Sequence, residues 1–118
     1  REREMTAKAD DPHRTWAIDE LKQRGEKVYS ANCVVCHQAN GKGLPPAFPA
    51  LEGSKIAKGA KAAHIAIVLH GKPNTAMAAY GGQLGDGDIA AVVTYERNAW
   101  GNNTGDLVQP AEIRAARK

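Results

Sequence analysis

The segment Cys33-Val34-Val35-Cys36-His37 decides the predicted fold of this 118-residue sequence. Its two cysteines are the only ones in the chain, and they stand in the pattern C-x-x-C-H. On one helical turn the residues i, i+3 and i+4 share a face, so both thiols and the imidazole can reach one flat group. This pattern is the attachment signal of c-type haem. We therefore expect one haem c, bonded covalently to Cys33 and Cys36, with His37 as a ligand of its iron.

A C-x-x-C pair also occurs as a disulfide or thioredoxin-like redox site, and as half of a zinc site. The redox site belongs in a βαβ setting, which this sequence does not indicate, and zinc would need two more ligands from the three remaining histidines. Haem also explains the composition, because six aromatic residues are few for a core of this size and a porphyrin supplies another large flat surface.

Length and charge are typical of a small single-domain protein. Residues 1–14 carry four basic and four acidic residues with little to bury, so we expect a charged tether there and a domain over residues 15–118. No apolar run approaches the roughly 18 residues of a membrane-spanning helix, and a soluble fragment or processed product is expected. The net charge of +3 is too small and too scattered to predict nucleic-acid binding.

Apolar residues recur at helical spacing in four places, and no alternating runs predict strands. The predicted helices are one that starts at Trp16, is capped by Thr15 and runs directly into Cys33, one from Ala60 to His70 ended by Gly71, one capped by Gly85 or Asp86 that continues to about Gly101, and a short one from Pro110. Residues 38–54 contain three prolines and three glycines and are predicted to form a long loop. Such a loop needs a surface to pack on, which a cofactor would supply. The expected fold is all-α.

These features resemble the class I cytochrome c family over about residues 15–110. Gly25 and Tyr29 lie eight and four residues before Cys33, as the small and aromatic residues of that family's first helix do. The resemblance implies the class I cytochrome c fold, with three to five helices around one haem c. It also implies that Gly25 and Tyr29 pack against Val92 and Tyr95 of the third predicted helix.

The segment Pro49-Ala50-Leu51-Glu52-Gly53 is similar to the P-x-L-x-G loop of the same family. The similarity implies that the Pro49 carbonyl accepts the second N–H of the His37 ring, which fixes the ring and tunes its basicity. It also implies that Leu51 contacts the porphyrin. Because proline is common in loops, stiffening of the chain is the other role open to Pro49.

The second iron ligand is predicted to be Met77, which lies in a Gly-rich loop where the family places its methionine. The other candidates are Met5, in the tether, and His64 and His70, which are expected to be surface or helix-capping groups. Two filled axial positions leave no site for oxygen or peroxide, so the domain would carry electrons without turning over a substrate. The thioether would raise the potential above that of a bis-histidine haem. A peroxidase-like module, with Met77 off the iron, is the enzyme alternative.

Four stretches resemble one branch of the family more closely, the cytochrome c domain at the C-terminus of subunit II in caa3-type haem-copper oxidases: residues 28–54, 70–77, 88–102 and 108–117. The resemblance implies transfer from a soluble donor cytochrome to the copper centre of the same subunit. The parent would be a membrane-anchored cytochrome c oxidase subunit of the respiratory chain, with this domain in the periplasm. A copper centre needs its own cysteines, so the copper-binding domain must lie elsewhere in that parent. A free, diffusible monohaem cytochrome c is the chief alternative.

Lysines cluster between residues 41 and 72, a stretch in which Glu52 is the only acidic residue. We predict a basic docking face that includes Lys55, Lys58 and Lys61 and attracts an acidic redox partner, although solvated surface lysines would give the same pattern. Candidate donors to the haem propionates are Trp100, Tyr80, Asn74 and Gln83.

Overall fold

Helices make up the regular structure in the computed structural model, which describes residues 14–44, 50–72 and 77–117. These residues form no β-strand and six helices: α1 (Ile18–Asn32), α2 (Val34–His37), α3 (Lys55–Lys58), α4 (Lys61–His70), α5 (Asp86–Asn98) and α6 (Pro110–Ala116). The all-α prediction is confirmed, and the short helices α2 and α3 add to the four that periodicity predicts. Almost all of the predicted tether lies outside the described residues, so its boundary at residue 14 stays a prediction.

Helices α1 and α5 share the most extensive interface in the fold, and they cross at Gly25. A Cβ atom on Gly25 would lie 2.1 Å from the carbonyl oxygen of Ala91 and 2.6 Å from Cβ of Tyr95. Only glycine allows two backbones to approach so closely. One turn further along α1, the Tyr29 and Tyr95 rings pack with centroids 5.6 Å apart, as the resemblance implies.

The start of α1 differs from the prediction. Thr15 was the expected cap, but Ala17 precedes the first helical residue, and its N–H donates to Glu20 Oε1 at 3.1 Å. The chain is extended before this point because the Trp16 backbone pairs with the side chain of Gln109. Gln109 Oε1 accepts from the Trp16 N–H at 2.8 Å, and Gln109 Nε2 donates to the Trp16 carbonyl at 2.9 Å. The beginning of the described chain is thus fastened to α6.

The other predicted helix limits are confirmed except the end of α5, which stops at Asn98, three residues before Gly101. Helix α4 ends at His70, where Gly71 adopts a φ of +70° and donates its N–H to the Ile67 carbonyl at 2.8 Å. Helix α5 follows Gly85, and α6 begins at Pro110. No helix among the described residues is long and apolar enough to cross a membrane.

The hydrophobic core lies between α1, α5 and α6, with α4 against its side. Its fully buried aliphatic side chains include Leu21, Ile89, Val93, Val108 and Ile113. Burial of each such side chain contributes about 1.5–3 kcal/mol to the free energy of folding. The Arg117 guanidinium fastens the end of α6 to α5 and the loop before it, donating to Asp86 Oδ1 at 2.5 Å and to the Leu84 carbonyl at 2.9 Å.

The loop that follows α2 is held by aromatic side chains. Tyr29 donates its hydroxyl to the Gln38 carbonyl at 2.6 Å, and Trp100 donates its indole N–H to the Ala39 carbonyl at 2.8 Å. The Trp100 ring lies directly on Gly41, where a Cβ atom would come within 2.4 Å of it. The loop therefore leaves the C-x-x-C-H turn in a fixed direction.

Asn102, which is buried in the turn after α5, holds the next part of this loop. Its Nδ2 donates to the carbonyls of Leu51, at 3.1 Å, and Glu96, at 2.8 Å, and its Oδ1 accepts from the Gly53 N–H at 2.7 Å. Three hydrogen bonds from one side chain thus set the position of Leu51 relative to α5.

Candidate haem site

The C-x-x-C-H residues lie on a single helical turn, as their spacing predicts. Cys33 ends α1 by donating its N–H to the Tyr29 carbonyl at 2.8 Å, and its own carbonyl accepts from the His37 N–H at 2.9 Å. Gln38 then takes a φ of +66°, which ends α2 after one turn. Both cysteines are free thiols and are partly buried.

A cavity of about 450 Å³ opens beside this turn, within the size range of about 300–1,000 Å³ that is typical of cofactor sites. Five of the six predicted site residues line it: Cys33, Cys36, His37, Leu51 and Met77. The sixth, Pro49, lies outside the described residues, so its proposed bond to His37 stays a prediction. Half of the other lining residues are aliphatic, and they come from loops and from helices α3, α4 and α5: Ala50, Ile56, Ile67, Val68, Ala78, Leu84 and Val92.

Met77 reaches the cavity because the segment after it runs along α4. Tyr80 and Gly81 donate their N–H groups to the carbonyls of Val68, at 2.9 Å, and Leu69, at 3.0 Å. Gly71 allows this approach, since a Cβ atom there would lie 2.7 Å from the Met77 carbonyl oxygen. The two predicted iron ligands therefore come from different parts of the chain, one from α2 and one from the segment between α4 and α5.

The residues that line the cavity fit a haem c. Two thiols spaced by one helical turn, an imidazole and a thioether are the donors that covalent attachment and Met/His ligation require. Burial raises the pKa of the Cys33 thiol to about 12, and the charges of Glu96 and Cys36 add to the rise. Cys33 is therefore a protonated thiol at neutral pH. Within the described residues, no three Cys, His, Asp or Glu side chains come together as a metal site.

His64 is the clearest departure from the sequence analysis, which expected a surface or capping group. It is buried with 1% exposure and lines the cavity, and its Nε2 lies 2.7 Å from Glu96 Oε1. Sequence reasoning also missed Glu96. The available signal was their position one turn from apolar cavity residues, His64 before Val68 and Glu96 after Val92. His70 is exposed at the end of α4.

The candidate propionate donors do not form one group. Tyr80 lines the cavity and donates its hydroxyl to the Asn32 carbonyl at 3.0 Å. Trp100 bonds to Ala39, as described above, and the exposed Gln83 donates to the Ala79 carbonyl at 3.3 Å. Asn74 lies outside the described residues.

An all-α fold that closes around a C-x-x-C-H turn and an apolar cavity defines a small haem c domain. Comparison with known proteins gives the family. Residues 20–95 match the family described as cytochrome c oxidase, cbb3-type, subunit III. Cytochrome c-552 of Thermus thermophilus is 39% identical over 92 residues, which make up 66% of this chain and 69% of that protein. This chain belongs to the cytochrome c family, whose members bind haem c and transfer electrons.

Two further relatives show the range of proteins in which this domain occurs. Cytochrome c6 of Bumilleriopsis filiformis is 30% identical over 73 residues, which cover 62% of this chain and 85% of that protein. The cytochrome c subunit of a quinone-dependent alcohol dehydrogenase of Gluconobacter oxydans is 30% identical over 103 residues, which cover 79% of this chain. The match spans only 22% of that subunit, so it indicates a shared domain and not a shared whole protein.

Proposed function

We propose that this domain relays electrons from a small soluble redox protein, such as another cytochrome, to the copper centre of a haem-copper oxidase, as the C-terminal part of its subunit II. The observation that carries the proposal is the structural role of the segments 88–102 and 108–117, which resemble that branch of the family. Asn102 holds the cavity loop, and Gln109 fastens the chain at Trp16. The family that the chain matches is described as subunit III of a cbb3-type cytochrome c oxidase, so this match supports a role with an oxidase and does not distinguish subunit II.

The cofactor supplies the chemistry, a one-electron change between ferric and ferrous iron. In this proposal Cys33 and Cys36 would attach the haem covalently, and His37 and Met77 would be the ligands of its iron. With both positions filled, no open site is left for a substrate to bind. The apolar wall of the cavity excludes water, which favours the ferrous state and raises the potential. Cytochrome c domains are typically extracytoplasmic, and we propose the periplasm for this one.

The docking surface in this proposal is a basic rim formed by Lys55, Lys58 and Lys72. Lys55 and Lys72 line the cavity, and Ile56, next to Lys55, is a large apolar side chain with 36% exposure. Positive charge around an apolar contact suits an acidic donor, because it raises the association rate without fixing the partner too tightly.

Lys61 does not belong to this rim, although the sequence analysis included it. Its Nζ lies 2.9 Å from Glu112 Oε1 and donates to the Leu107 carbonyl at 3.1 Å. This lysine therefore joins α4 to α6 and its preceding loop, and its charge is paired.

The assignment to subunit II is tested by the size and location of the native protein. An antibody against this domain should detect a membrane-bound polypeptide in the source cells, and peptides from the same band should include a copper-binding domain. A single small band in the periplasmic fraction would contradict the proposal. It would favour a separate small cytochrome, the second candidate, which the coverage of 69% of cytochrome c-552 supports.

The docking surface is tested by stopped-flow reduction of the haem-loaded domain by a small acidic cytochrome. The bimolecular rate should fall as ionic strength rises, and the double variant Lys55→Gln/Lys58→Gln should lower it several-fold at low salt. Lys61→Gln removes the same kind of charge away from the rim and should leave the rate unchanged. A rate that is flat in salt, or a Lys61→Gln effect at least half as large as that of the double variant, would argue against this surface.

A further inference from the structure

A buried, hydrogen-bonded pair of titratable side chains forms part of the cavity wall, and electron transfer by a haem c does not by itself require it. His64 on α4 and Glu96 on α5 both line the cavity, with exposures of 1% and 5%. Their side chains meet at 2.7 Å between Nε2 and Oε1. Burying a carboxylate costs much free energy unless it is paired, so an apolar residue would be the cheaper choice at this position.

The neighbouring Arg97 determines which nitrogen of His64 carries the proton. Nη1 of Arg97 lies 3.5 Å from Nδ1 of His64, and a guanidinium can only donate. Nδ1 must therefore present its lone pair to Arg97, which leaves the ring proton on Nε2. Nε2 then donates its proton to a hydrogen bond with Glu96 Oε1. An ionised carboxylate is a hydrogen-bond acceptor only, so Glu96 can fill this role as the charged form. In this arrangement His64 is neutral and Glu96 is charged.

The charge of Arg97 is balanced by a different carboxylate. Its Nη2 and Nε lie 2.6 Å and 3.1 Å from Asp106 Oδ2, and Nη2 also donates to the Gly59 carbonyl. This hydrogen bond from Arg97 lowers the pKa of Asp106 from its ordinary value, so Asp106 is ionised at neutral pH. His64, Glu96, Arg97 and Asp106 together then carry one net negative charge. The negatively charged member that lines the cavity is Glu96.

The Glu96 charge affects the pKa values of other groups in and near the cavity. Burial is the main reason for the raised pKa values of Cys33, Tyr29 and Tyr80, and the negative charge of Glu96 contributes to each of the three. The positively charged side chains of the cavity wall are Lys55 and Lys72. Lys55 is exposed, so water screens its effect more strongly than that of the buried carboxylate.

We propose that Glu96 is a potential-setting residue of the haem and that His64 is its positioning residue, holding the carboxylate in its charged form against the cavity. Bound haem would supply the change between ferric and ferrous iron, and a fixed negative charge on the cavity wall would oppose reduction. Glu96 therefore lowers the potential that the ligands and the apolar wall would otherwise give. The inference depends on the haem site alone and stands or falls separately from the oxidase assignment.

The direct test is a potentiometric titration of the haem-loaded protein followed by its optical spectrum. Glu96→Gln keeps the shape and the acceptor for His64 but removes the charge. At an effective dielectric constant of about 20, a unit charge about 12 Å away changes an equilibrium constant by roughly tenfold. We expect the equilibrium constant for reduction to rise by about that factor, which is about 59 mV for a one-electron couple. Glu52→Gln, an exposed carboxylate beside Leu51, is the matched control and should shift it by less than a third as much.

The sign of the shift separates this role from a merely structural one. A variant that loosens the fold admits water or loses an axial ligand, which lowers the potential, whereas loss of the Glu96 charge raises it. His64→Gln retains a donor for Glu96 and should keep the wild-type potential. His64→Leu removes the donor that fixes the carboxylate at the cavity wall, so the potential should rise towards that of Glu96→Gln.

The inference is overturned if Glu96→Gln leaves the potential unchanged or lowers it while the low-spin spectrum is retained, or if Glu52→Gln has the same effect. If Glu96→Gln does not fold, the two His64 variants decide. Equal potentials for His64→Gln and His64→Leu would then overturn it.

Discussion

The crossing of α1 and α5 predicts the effect of one methyl group. In Gly25→Ala the new Cβ would lie 2.1 Å from the Ala91 carbonyl oxygen and 2.6 Å from Tyr95 Cβ, well inside van der Waals contact. Both obstacles are fixed to the backbone, so the helices must move apart by about 1 Å or more. Overpacking of this kind typically costs about 1–3 kcal/mol, and the clash with backbone places Gly25→Ala at or above the top of that range.

One further term, helix propensity, opposes this cost. Alanine is the better helix former by about 0.5–1 kcal/mol, which offsets part of the cost. The expected net loss of unfolding free energy is therefore about 2 kcal/mol, or a fall in Tm of roughly 8 °C. The assay is thermal and guanidinium unfolding of the haem-loaded protein, followed by circular dichroism.

Gly82→Ala is the matched control, because no atom lies within 4 Å of its new Cβ position. This variant should stay within about 0.5 kcal/mol of the wild type. If Gly25→Ala were equally neutral, the close contact of the two helices at Gly25 would be refuted.

Two other predictions concern the ligands and acid stability. Met77→Leu should leave the haem covalently attached but open one coordination position on the iron. The potential should then fall, and added cyanide or carbon monoxide should bind, which optical titration would detect. Failure to bind either ligand would argue against Met77 as the iron ligand. The lowered pKa of Asp106 means that its contribution to stability is present above the pKa of the unfolded chain and is lost as the pH falls through the folded value. The thermal unfolding midpoint should therefore decline below about pH 4. The decline should be less steep in Arg97→Met than in the wild type. Identical pH profiles of the two proteins would contradict the Arg97–Asp106 contact.

Local sequence was enough to predict the parts of the fold that depend on near neighbours. The spacing of Cys33, Cys36 and His37 predicts one helical turn, because i, i+3 and i+4 share a face. Gly71 and Pro110 mark helix ends for reasons of backbone conformation that hold in any fold.

The features that sequence reasoning missed depend on residues far apart in the chain. Thr15 looks like a helix cap, but Gln109, 93 residues after Trp16, binds the backbone there and keeps it extended. Helical periodicity places His64 near the apolar face of α4, but it does not reveal that Glu96 of α5 lies against this side chain. For the same reason, Lys61 resembles a free surface lysine until Glu112 of α6 is placed beside it.

The measurement that most directly tests this account is the mass of the denatured protein, produced in cells that mature c-type cytochromes, together with its oxidised and reduced spectra. We expect the mass of the polypeptide plus one haem, and a low-spin spectrum with a methionine-to-iron charge-transfer band in the oxidised state. A colourless product with the mass of the bare polypeptide would contradict the haem site itself. A high-spin oxidised spectrum would contradict the assignment of Met77.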